Sequence, residues 1–380
     1  MHSTLYPNRF DTIVVGVGGM GSAAVYHLAK RGQRVLGLEQ FDIPHDQGSS
    51  HGHTRIIRLP YYEDSSYVML LVRAYELWRD LERVSGENVV AHHRLHRCRP
   101  AESVFKGALQ SAVEYDQPHE FSPARVRRSA SGHNLPQDHL ALFSSPRAAS
   151  SALNSASQPT SSRRWPWERR STAARLDEVG AAATATACAA HTTRIYEADS
   201  LVITAGRERR HAPVPQPAGH PGAPGVGLVS AGKPGTVPPD NFPVFNLLVD
   251  EGRFYGFPVF GIPGFKIGLY HHFNETGRPE QLDHDVYWED EEVLRECTSK
   301  YFQRLRPDHD HGQLHVHQRR TATSSSTCTR NTLRSPYVPA CTGHGYKFAS
   351  VIGEIMADLA QYQRTPQHRT LHRQSLRQPL

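Results

Sequence analysis

Hydrophobic and polar positions repeat with two periods along this chain, and each period predicts a different kind of element. A short apolar run at 12–15 is typical of a buried strand, and 20–31 then has the spacing of a helix. Residues 64–84 carry an apolar residue every three or four positions, which predicts a long amphipathic helix. Helices are also predicted at 104–116 and at about 285–305.

Apolar patterning returns in three later segments. Residues 196–206 (YEADSLVITAG) predict a short buried strand, and 240–272 predict several strand-like pieces. Residues 342–361 predict a glycine-rich turn followed by an apolar helix. Strands and helices therefore alternate near the N-terminus, and this order favours an α/β fold.

Four segments between these elements follow neither period and are rich in Arg, Ser, Ala and Pro. They lie within 91–103, 124–195, 207–238 and 308–341. Out-of-frame translation of a GC-rich gene gives this composition, so we hypothesise that parts of them are frameshifted. Natural disordered insertions are the alternative. Translating the gene in all three frames separates the two, because only a frameshift restores patterned protein in a neighbouring frame.

Length and cysteine usage limit the class of protein. The chain has 380 residues, enough for two domains with a core in each. No apolar run approaches the roughly 20 residues that cross a bilayer, and 1–9 contain no apolar segment of a secretory signal. The 5 cysteines include no Cys-x-x-Cys pair, which predicts a reducing, cytoplasmic location without membrane attachment.

The charge and the histidines do not change this picture. The net charge of +6 lies in irregular segments without interleaved aromatic residues, so nucleic-acid binding is not favoured. The 24 histidines are scattered, and no set of them has the spacing of a zinc site. We therefore predict neither a nucleic-acid partner nor a metal ion.

The most informative feature is the glycine-rich turn after the first strand. Gly16 permits a tight turn, Gly18 lets backbone N–H groups approach a pyrophosphate, and Gly21 lets the following helix pack close to the strand. Glu39 ends the second strand, 18 residues after Gly21, where a carboxylate can bind ribose hydroxyl groups. This pattern predicts binding of a dinucleotide, with both FAD and NAD open at this point.

Four separated motifs then narrow the choice. They are GSSHGHTRIIR at 48–58, LVITAG at 201–206, FYGFPVFGIPGFKIGLYHH at 254–272 and GHGYKF at 343–348. Together with the glycine-rich turn, they resemble the family of monomeric sarcosine oxidase and N-methyl-L-tryptophan oxidase, which are FAD-dependent amino-acid oxidoreductases. The resemblance covers about two-thirds of the chain.

The resemblance implies FAD as the cofactor and an α/β fold of two domains. One is a doubly wound, Rossmann-like FAD-binding domain, and the other is a substrate domain with a mostly antiparallel sheet that covers the flavin. The FAD-binding domain is expected to be discontinuous, from 1–90, 140–210 and 325–380. The substrate domain is expected from 91–139 and 211–324.

The resemblance also implies the chemistry. An N-methylated, secondary amino acid such as sarcosine or N-methyltryptophan loses a hydride to the flavin, and water hydrolyses the imine that results. Oxygen is reduced to hydrogen peroxide. The implied partners are a small amino-acid substrate and oxygen, and the implied state is a monomer.

The catalytic residues implied by the resemblance fall in three motifs. Arg58 resembles the arginine that holds the substrate carboxylate, and Lys347 resembles its second cationic partner. Lys266 resembles the lysine that faces the flavin where oxygen reacts. His271 resembles a histidine in the wall of the active site, and His272 is the alternative for that place.

Further residues resemble the family's cofactor contacts. Ser49, Thr54 and Arg55 resemble residues that line the FAD phosphates and the flavin. The family attaches FAD covalently to a cysteine, and Cys328 is the candidate here. Cys341 lies too close to the following turn to replace it.

The turn before the C-terminal helix completes the implied site. Gly343, His344 and Gly345 lead into that helix, whose N-terminus can stabilise negative charge on the flavin. Tyr61 and Tyr255 are candidate aromatic residues of the pocket, with burial in the core as the alternative. The alternatives for the whole chain are a catalytically defective relative with a damaged reading frame, an NAD-dependent dehydrogenase and a basic nucleic-acid-binding protein.

Overall fold

The computed structural model of the chain describes eighteen stretches of residues. The described residues are 9–41, 43–45, 48, 50, 52, 54–99, 104–123, 140–152, 171–173, 176–181, 187–191, 194–206, 225–229, 242–259, 265–270, 287–302, 314–315 and 345–366.

The helices predicted from apolar periodicity are present, with ends displaced by a few residues. In the described stretches, no helix is both long enough and apolar enough to cross a membrane. The helices are α1 (Gly19–Lys30), α2 (Tyr67–Ser85), α3 (Val104–Glu114), α4 (Trp288–Tyr301) and α5 (Ala349–Tyr362), and a 3₁₀ helix (Gly345–Phe348) directly precedes α5.

The strands belong to two sheets. They are β1 (Arg9–Val15), β2 (Val35–Glu39), β3 (Thr54–Ile57), β4 (Val90–Arg99), β5 (His119–Pro123), β6 (Leu140–Ala152), β7 (Ser171–Ala173), β8 (Leu176–Ala181), β9 (Ala187–His191), β10 (Arg194–Ile203), β11 (Gly225–Val229), β12 (Val244–Val249), β13 (Gly252–Phe257), β14 (Phe265–Leu269) and β15 (Leu314–His315).

The first sheet has six strands in the order β7-β2-β1-β10-β9-β8. Strand β1 pairs in parallel with both β2 and β10, so that Ile13 lies between Leu36 and Leu201. These three side chains are buried because both faces of a parallel sheet are covered. Helices α1 and α5 pack together so closely that a Cβ atom on Gly353 would overlap Ala23.

The second sheet has nine strands in the order β15-β11-β14-β13-β12-β4-β6-β3, with β5 paired to β6. Every pairing in it is antiparallel except that of β12 with β4. One face of β12–β14 packs against α4 through the buried residues Phe254, Phe265, Ile267 and Phe302. This architecture confirms the predicted α/β fold, in which a first sheet that is parallel across β7-β2-β1-β10 and antiparallel across β10-β9-β8 is joined to a mostly antiparallel sheet.

The domain boundaries remain a prediction, and two strands bear on them. Strand β3 lies within 1–90 and β6 lies within 140–210, both assigned to the FAD-binding domain, yet the two pair with each other in the second sheet. Strand β6 also pairs there with β4 and β5. We therefore propose that residues 140–152 belong with the substrate domain.

The segments without apolar periodicity contain strands that the pattern did not predict. All but the first residue of strand β4 falls within 91–103, strands β6 to β9 fall within 124–195, β11 falls within 207–238, and β15 falls within 308–341. A strand can form without alternating side chains because its neighbours satisfy the backbone N–H and C=O groups whatever the side chains are. The expectation that these segments lack regular elements is therefore wrong for these strands, whereas the frameshift hypothesis itself stays a prediction.

Candidate active site

The glycine-rich turn between β1 and α1 forms a site for close approach of a dinucleotide. Gly16 has φ +86°, and a Cβ atom there would lie 2.7 Å from the carbonyl oxygen of Thr204. A Cβ atom on Gly21 would overlap the carbonyl oxygen of Gly16, so only glycine permits this packing. Helix α1 begins at Gly19, which points its free N–H groups and the positive end of its dipole towards the turn.

Glu39 lies at the edge of this turn, as its spacing predicts. It is the last residue of β2 and is buried. One carboxylate oxygen accepts a hydrogen bond from the backbone N–H of Val17 at 2.8 Å, and the other accepts one from the N–H of Gln40 at 2.9 Å. These bonds hold an acidic group beside the phosphate-binding turn, where a ribose would lie.

Ser50 adds a contact that the sequence did not single out. The N–H of Gly19 donates a hydrogen bond to its hydroxyl oxygen at 2.8 Å, so the segment after β2 returns to the N-terminus of α1. Ser49, which we predicted to line the FAD phosphates, lies outside the described residues. The motif GSSHGHTRIIR singled out this segment, but it named Ser49 and not Ser50 as a cofactor contact.

Thr54 and Arg55 begin strand β3, directly after this segment. The hydroxyl group of Thr54 is buried and has no hydrogen-bond partner within the described structure. An orphaned buried hydroxyl costs free energy, so a bound group that pairs with it would stabilise the site. These features fit FAD, since the glycine-rich turn, Glu39 and Thr54 together offer the backbone approach and the polar groups that a dinucleotide needs.

Two cations converge on the backbone carbonyl oxygen of Thr54. The Arg55 guanidinium donates to it at 2.9 Å, and the Lys266 ammonium donates to it at 3.2 Å. Burial, together with the smaller effect of the positive charge of Arg55, lowers the pKa of Lys266 to about 7. Lys266 is therefore a partly buried lysine rather than a fully solvated one, and its predicted place facing the flavin stays a prediction.

Arg58 is a buried guanidinium, with only 4% of its surface exposed. Its guanidinium carbon lies 5.3 Å from the ring centroids of both Tyr61 and Tyr62. Its Nε has no hydrogen-bond partner, and among the described residues no carboxylate lies within ion-pair distance. Because burying an uncompensated charge is costly, this arrangement is typical of a site that receives an anion.

Lys347 brings a second cation to the same place. It belongs to the 3₁₀ helix before α5 and is buried, and its Nζ lies 5.3 Å from the ring centroid of Tyr61. The indole N–H of Trp78 donates a hydrogen bond to the Lys347 carbonyl oxygen at 3.2 Å and holds this turn in place. The ring of Tyr61 thus adjoins both predicted carboxylate-binding residues.

The tyrosines around these cations do not neutralise them. Burial raises the pKa of Tyr61 well above its usual value, and the nearby carboxylate of Glu63 raises it further. Burial likewise raises the pKa of Tyr62 to about 12. Both phenols are therefore neutral at physiological pH and do not compensate the positive charge of Arg58.

Several predicted residues lie outside the described structure. They are His271, its alternative His272, Cys328, Gly343 and His344. Gly345 is described and is the first residue of the 3₁₀ helix. Among the described residues, no group of three or more His, Cys, Asp or Glu side chains could hold a metal ion.

Sequence reasoning missed one polar group that the structure brings to this pocket. This group is Arg253 on β13, which contacts Tyr62 and Tyr270. Asn246 on β12 and Tyr270, directly after β14, are hydrogen-bonded to each other beside it. The available signal was the alternation in Gly252–Phe257, which places Arg253 on the same face of the strand as the candidate pocket residue Tyr255.

Comparisons with known proteins agree with this geometry. The family model described as FAD dependent oxidoreductase matches residues 11–359. The chain is 34% identical to monomeric sarcosine oxidase from Streptomyces avermitilis, and the match covers 92% of this chain and 93% of that protein. It is also 36% identical to N-methyl-L-tryptophan oxidase from Yersinia pestis, over 35% of this chain and 37% of that protein.

A solved structure supports the fold. NikD, described as an unusual amino acid oxidase essential for nikkomycin biosynthesis, matches with a TM-score of 0.74 and 19% sequence identity. The match covers 96% of this chain and 97% of NikD. The similarity therefore extends over both sheets rather than over the nucleotide-binding turn alone.

Proposed function

Because this chain belongs to the family of FAD-dependent oxidoreductases, we propose that it oxidises N-methylated amino acids such as sarcosine or N-methyl-L-tryptophan. FAD is its cofactor; the glycine-rich turn, Glu39 and Thr54 would hold it, and it would supply a hydride acceptor that can return two electrons to oxygen. The substrate loses a hydride from a carbon bound to nitrogen and a proton from nitrogen. Water hydrolyses the imine that forms, and oxygen leaves as hydrogen peroxide.

The observation that carries this proposal is the buried, uncompensated cation at Arg58. A carboxylate fits the planar guanidinium by two parallel hydrogen bonds, which fix both the position and the orientation of an amino acid. Lys347 supplies a second positive charge at the same distance from the ring of Tyr61. When its carboxylate is bound in this way, the substrate holds its amine and the carbons next to nitrogen in one orientation.

Lys266 has a different role in the proposal. Transfer of the first electron to oxygen makes an anion, and a fixed cation nearby stabilises that charge as it develops. Its hydrogen bond to the carbonyl oxygen of Thr54 holds the ammonium group in place. Its pKa of about 7 leaves it substantially protonated at neutral pH.

The cofactor is held by residues of both sheets in this proposal. The glycine-rich turn and Glu39 bind the pyrophosphate and the adjoining ribose of FAD. Thr54 and Arg55, which begin strand β3 of the second sheet, contribute from the other sheet. We propose that His271 forms part of the active-site wall. Ser49 and the turn of Gly343, His344 and Gly345 complete the proposed cofactor contacts.

We further propose that Cys328 carries FAD covalently. The visible spectrum before and after acid precipitation tests this, because covalent flavin stays with the precipitated protein. Replacing Cys328 with alanine should release the yellow colour into the supernatant, and Cys341→Ala should not. Release of the flavin from the unmodified chain would contradict covalent attachment.

The test of the function uses the FAD-loaded protein with sarcosine, N-methyl-L-tryptophan and dimethylamine, which lacks a carboxylate. We expect oxygen consumption and hydrogen peroxide with the N-methylated amino acids, without added nicotinamide, and no turnover of dimethylamine. The absence of peroxide with every carboxylated secondary amine would overturn the proposal. Equal oxidation of dimethylamine would overturn the role of the carboxylate site.

The alternatives raised by the sequence are not favoured. An NAD-dependent dehydrogenase does not agree with membership of an FAD-dependent family. A defective relative is not favoured by a family match that spans both sheets. We propose that the enzyme is a monomer, as the name of the Streptomyces avermitilis protein states for that relative, and that it acts in the cytoplasm.

A further inference from the structure

One face of the second sheet carries a second cationic group beside the proposed substrate site. In the paired strands β12–β14, Phe257 lies opposite Lys266, and Asn246 lies opposite Tyr255. Because paired residues share a face and residues two apart on a strand share it too, Arg253 lies on the same face as Lys266. The opposite face packs against α4, so this face is the one that looks towards the active site.

Arg253 is held in one orientation by three neighbours. Its guanidinium carbon lies 4.4 Å from the ring centroid of Tyr270 and 4.9 Å from that of Tyr62. Its Nε donates a hydrogen bond to the side-chain oxygen of Asn246 at 3.2 Å, and the Asn246 amide donates to the Tyr270 hydroxyl oxygen at 3.3 Å. The side chain is therefore fixed although it is only half-buried.

The hydrogen-bonding capacity of Arg253 is only partly used. Within the described ranges it bonds through Nε alone, and no carboxylate lies within ion-pair distance. Its terminal nitrogens can donate four further hydrogen bonds, arranged as the fork that matches a carboxylate. A rigid, half-exposed guanidinium without an internal anion is suited to a ligand that brings one.

Arg253 and Arg58 share one aromatic neighbour. The guanidinium carbon of Arg58 lies 5.3 Å from the ring centroid of Tyr62, and that of Arg253 lies 4.9 Å from it. Both guanidinium groups therefore adjoin the same ring, and Tyr62 is a common neighbour of the two cations. A small molecule with two carboxylates a few bonds apart can reach both.

We propose that Arg253, positioned by Asn246 and Tyr270, binds a second carboxylate, so that the preferred substrates are N-methylated dicarboxylic amino acids. This rests on the proposed function, in which Arg58 holds the first carboxylate. Selection arises because an uncharged substituent leaves the Arg253 guanidinium without its anion, whereas a carboxylate forms charge-assisted hydrogen bonds. The expected preference for the acid over its amide is about tenfold or more in kcat/KM.

The test compares N-methyl-L-glutamate with its amide isostere N-methyl-L-glutamine, using the FAD-loaded enzyme and sarcosine as a reference. The unmodified enzyme should prefer the acid, and Arg253→Met should bring the ratio of the two kcat/KM values to about one. Arg253→Lys should keep part of the preference because it keeps the charge. The exposed Arg295, which pairs with Glu291 on α4, gives the matched control Arg295→Met, which should leave the ratio as it is.

A binding measurement keeps the inference separate from the proposed function. Glutarate should perturb the flavin absorption spectrum at lower concentration than butyrate, and the difference should disappear in Arg253→Met. Circular dichroism establishes that the variants fold. If the enzyme oxidises sarcosine but has equal kcat/KM for N-methyl-L-glutamate and N-methyl-L-glutamine, this inference alone is overturned. Lack of oxidation of any N-methylated amino acid would overturn the proposed function, and equal binding of glutarate and butyrate would then overturn this inference as well.

Discussion

Arg58 and Lys347 place their cationic groups at the same distance, 5.3 Å, from the ring centroid of Tyr61. They come from distant parts of the sequence, one after β3 and the other before α5. Both are buried, with 4% of each residue's surface exposed. Two like charges enclosed around one neutral ring repel each other, and an anion between them would relieve that repulsion.

Replacing Arg58 with methionine should lower kcat/KM for an N-methylated amino acid by about 100-fold or more, because the carboxylate then lacks its bidentate partner. The same change should raise the melting temperature of the ligand-free protein, since it removes a buried, uncompensated charge. Steady-state kinetics and thermal unfolding measure the two effects. An unchanged kcat/KM would remove Arg58 from the substrate site, and Arg58→Lys tests whether charge alone is enough.

Lys347→Met should also lower kcat/KM, and its effect should depend on Arg58. If both cations bind one carboxylate, the loss of transition-state stabilisation in the double variant Arg58→Met/Lys347→Met should be smaller than the sum of the losses in the two single variants. The difference, the coupling free energy, should be about 1 kcal/mol or more. A double-mutant cycle on the same substrate measures this term. Strict additivity would mean that the two residues act on different groups.

Lys266→Met should slow reoxidation of the reduced enzyme by oxygen about 100-fold and leave anaerobic reduction by the substrate nearly normal. The pKa of Lys266 is lowered from 10.5 to about 7, so its charge is present below that pH and lost above it. The reoxidation rate should therefore fall as the pH rises through about 7. Stopped-flow absorbance gives both half-reactions, and Lys266→Arg should remove this pH dependence. Equal slowing of both half-reactions by Lys266→Met would contradict the role.

Gly21→Ala should prevent normal FAD binding. The added Cβ atom would overlap the carbonyl oxygen of Gly16, so either the turn or α1 must move, at a cost of about 2 kcal/mol. The ratio of flavin absorbance to protein absorbance measures the bound cofactor. Ser22→Ala is the neighbouring control, because its hydroxyl donates only to the carbonyl oxygen of Gly19 within the same turn. Full FAD content in Gly21→Ala would show that the turn is not tightly packed.

His27 should make the fold sensitive to acid. Burial lowers its pKa from 6.5 to about 4, so the unfolded chain binds a proton more readily than the folded protein between these values. Stability should therefore fall as the pH drops from about 6.5 to about 4, by about 3 kcal/mol from this group. Denaturant unfolding at several pH values should show a smaller loss for His27→Leu. The exposed His119 offers the control His119→Gln, which should retain the full loss.

The sequence predicted the nucleotide-binding half of the fold well because its signals are local. Gly16, Gly21 and Glu39 are separated by one strand, one turn and one helix, and those elements have fixed lengths. The strands in the irregular segments could not be predicted in this way. Strand β4, for example, pairs in parallel with β12, about 150 residues later, and no local period reveals such a partner.

The residues of the candidate site that belong to a sequence motif could be predicted. Those that reach the site only through tertiary contacts could not. Arg58, Lys266 and Lys347 belong to recognisable motifs, and the structure encloses each of them. Arg253 belongs to no motif, and its relation to Tyr62 depends on how β13 packs against the segment after β3. Only tertiary packing places these two residues in contact.

The carbonyl oxygen of Thr54, which accepts hydrogen bonds from both Arg55 and Lys266, has a mechanical consequence. Four residues before Thr54, the hydroxyl of Ser50 is tied to the start of α1, the helix beside the pyrophosphate turn. If Lys266 acts on oxygen as proposed, a substitution at Ser50 should therefore change the rate of flavin reoxidation as well as the affinity for FAD. One short segment of chain would then set both properties.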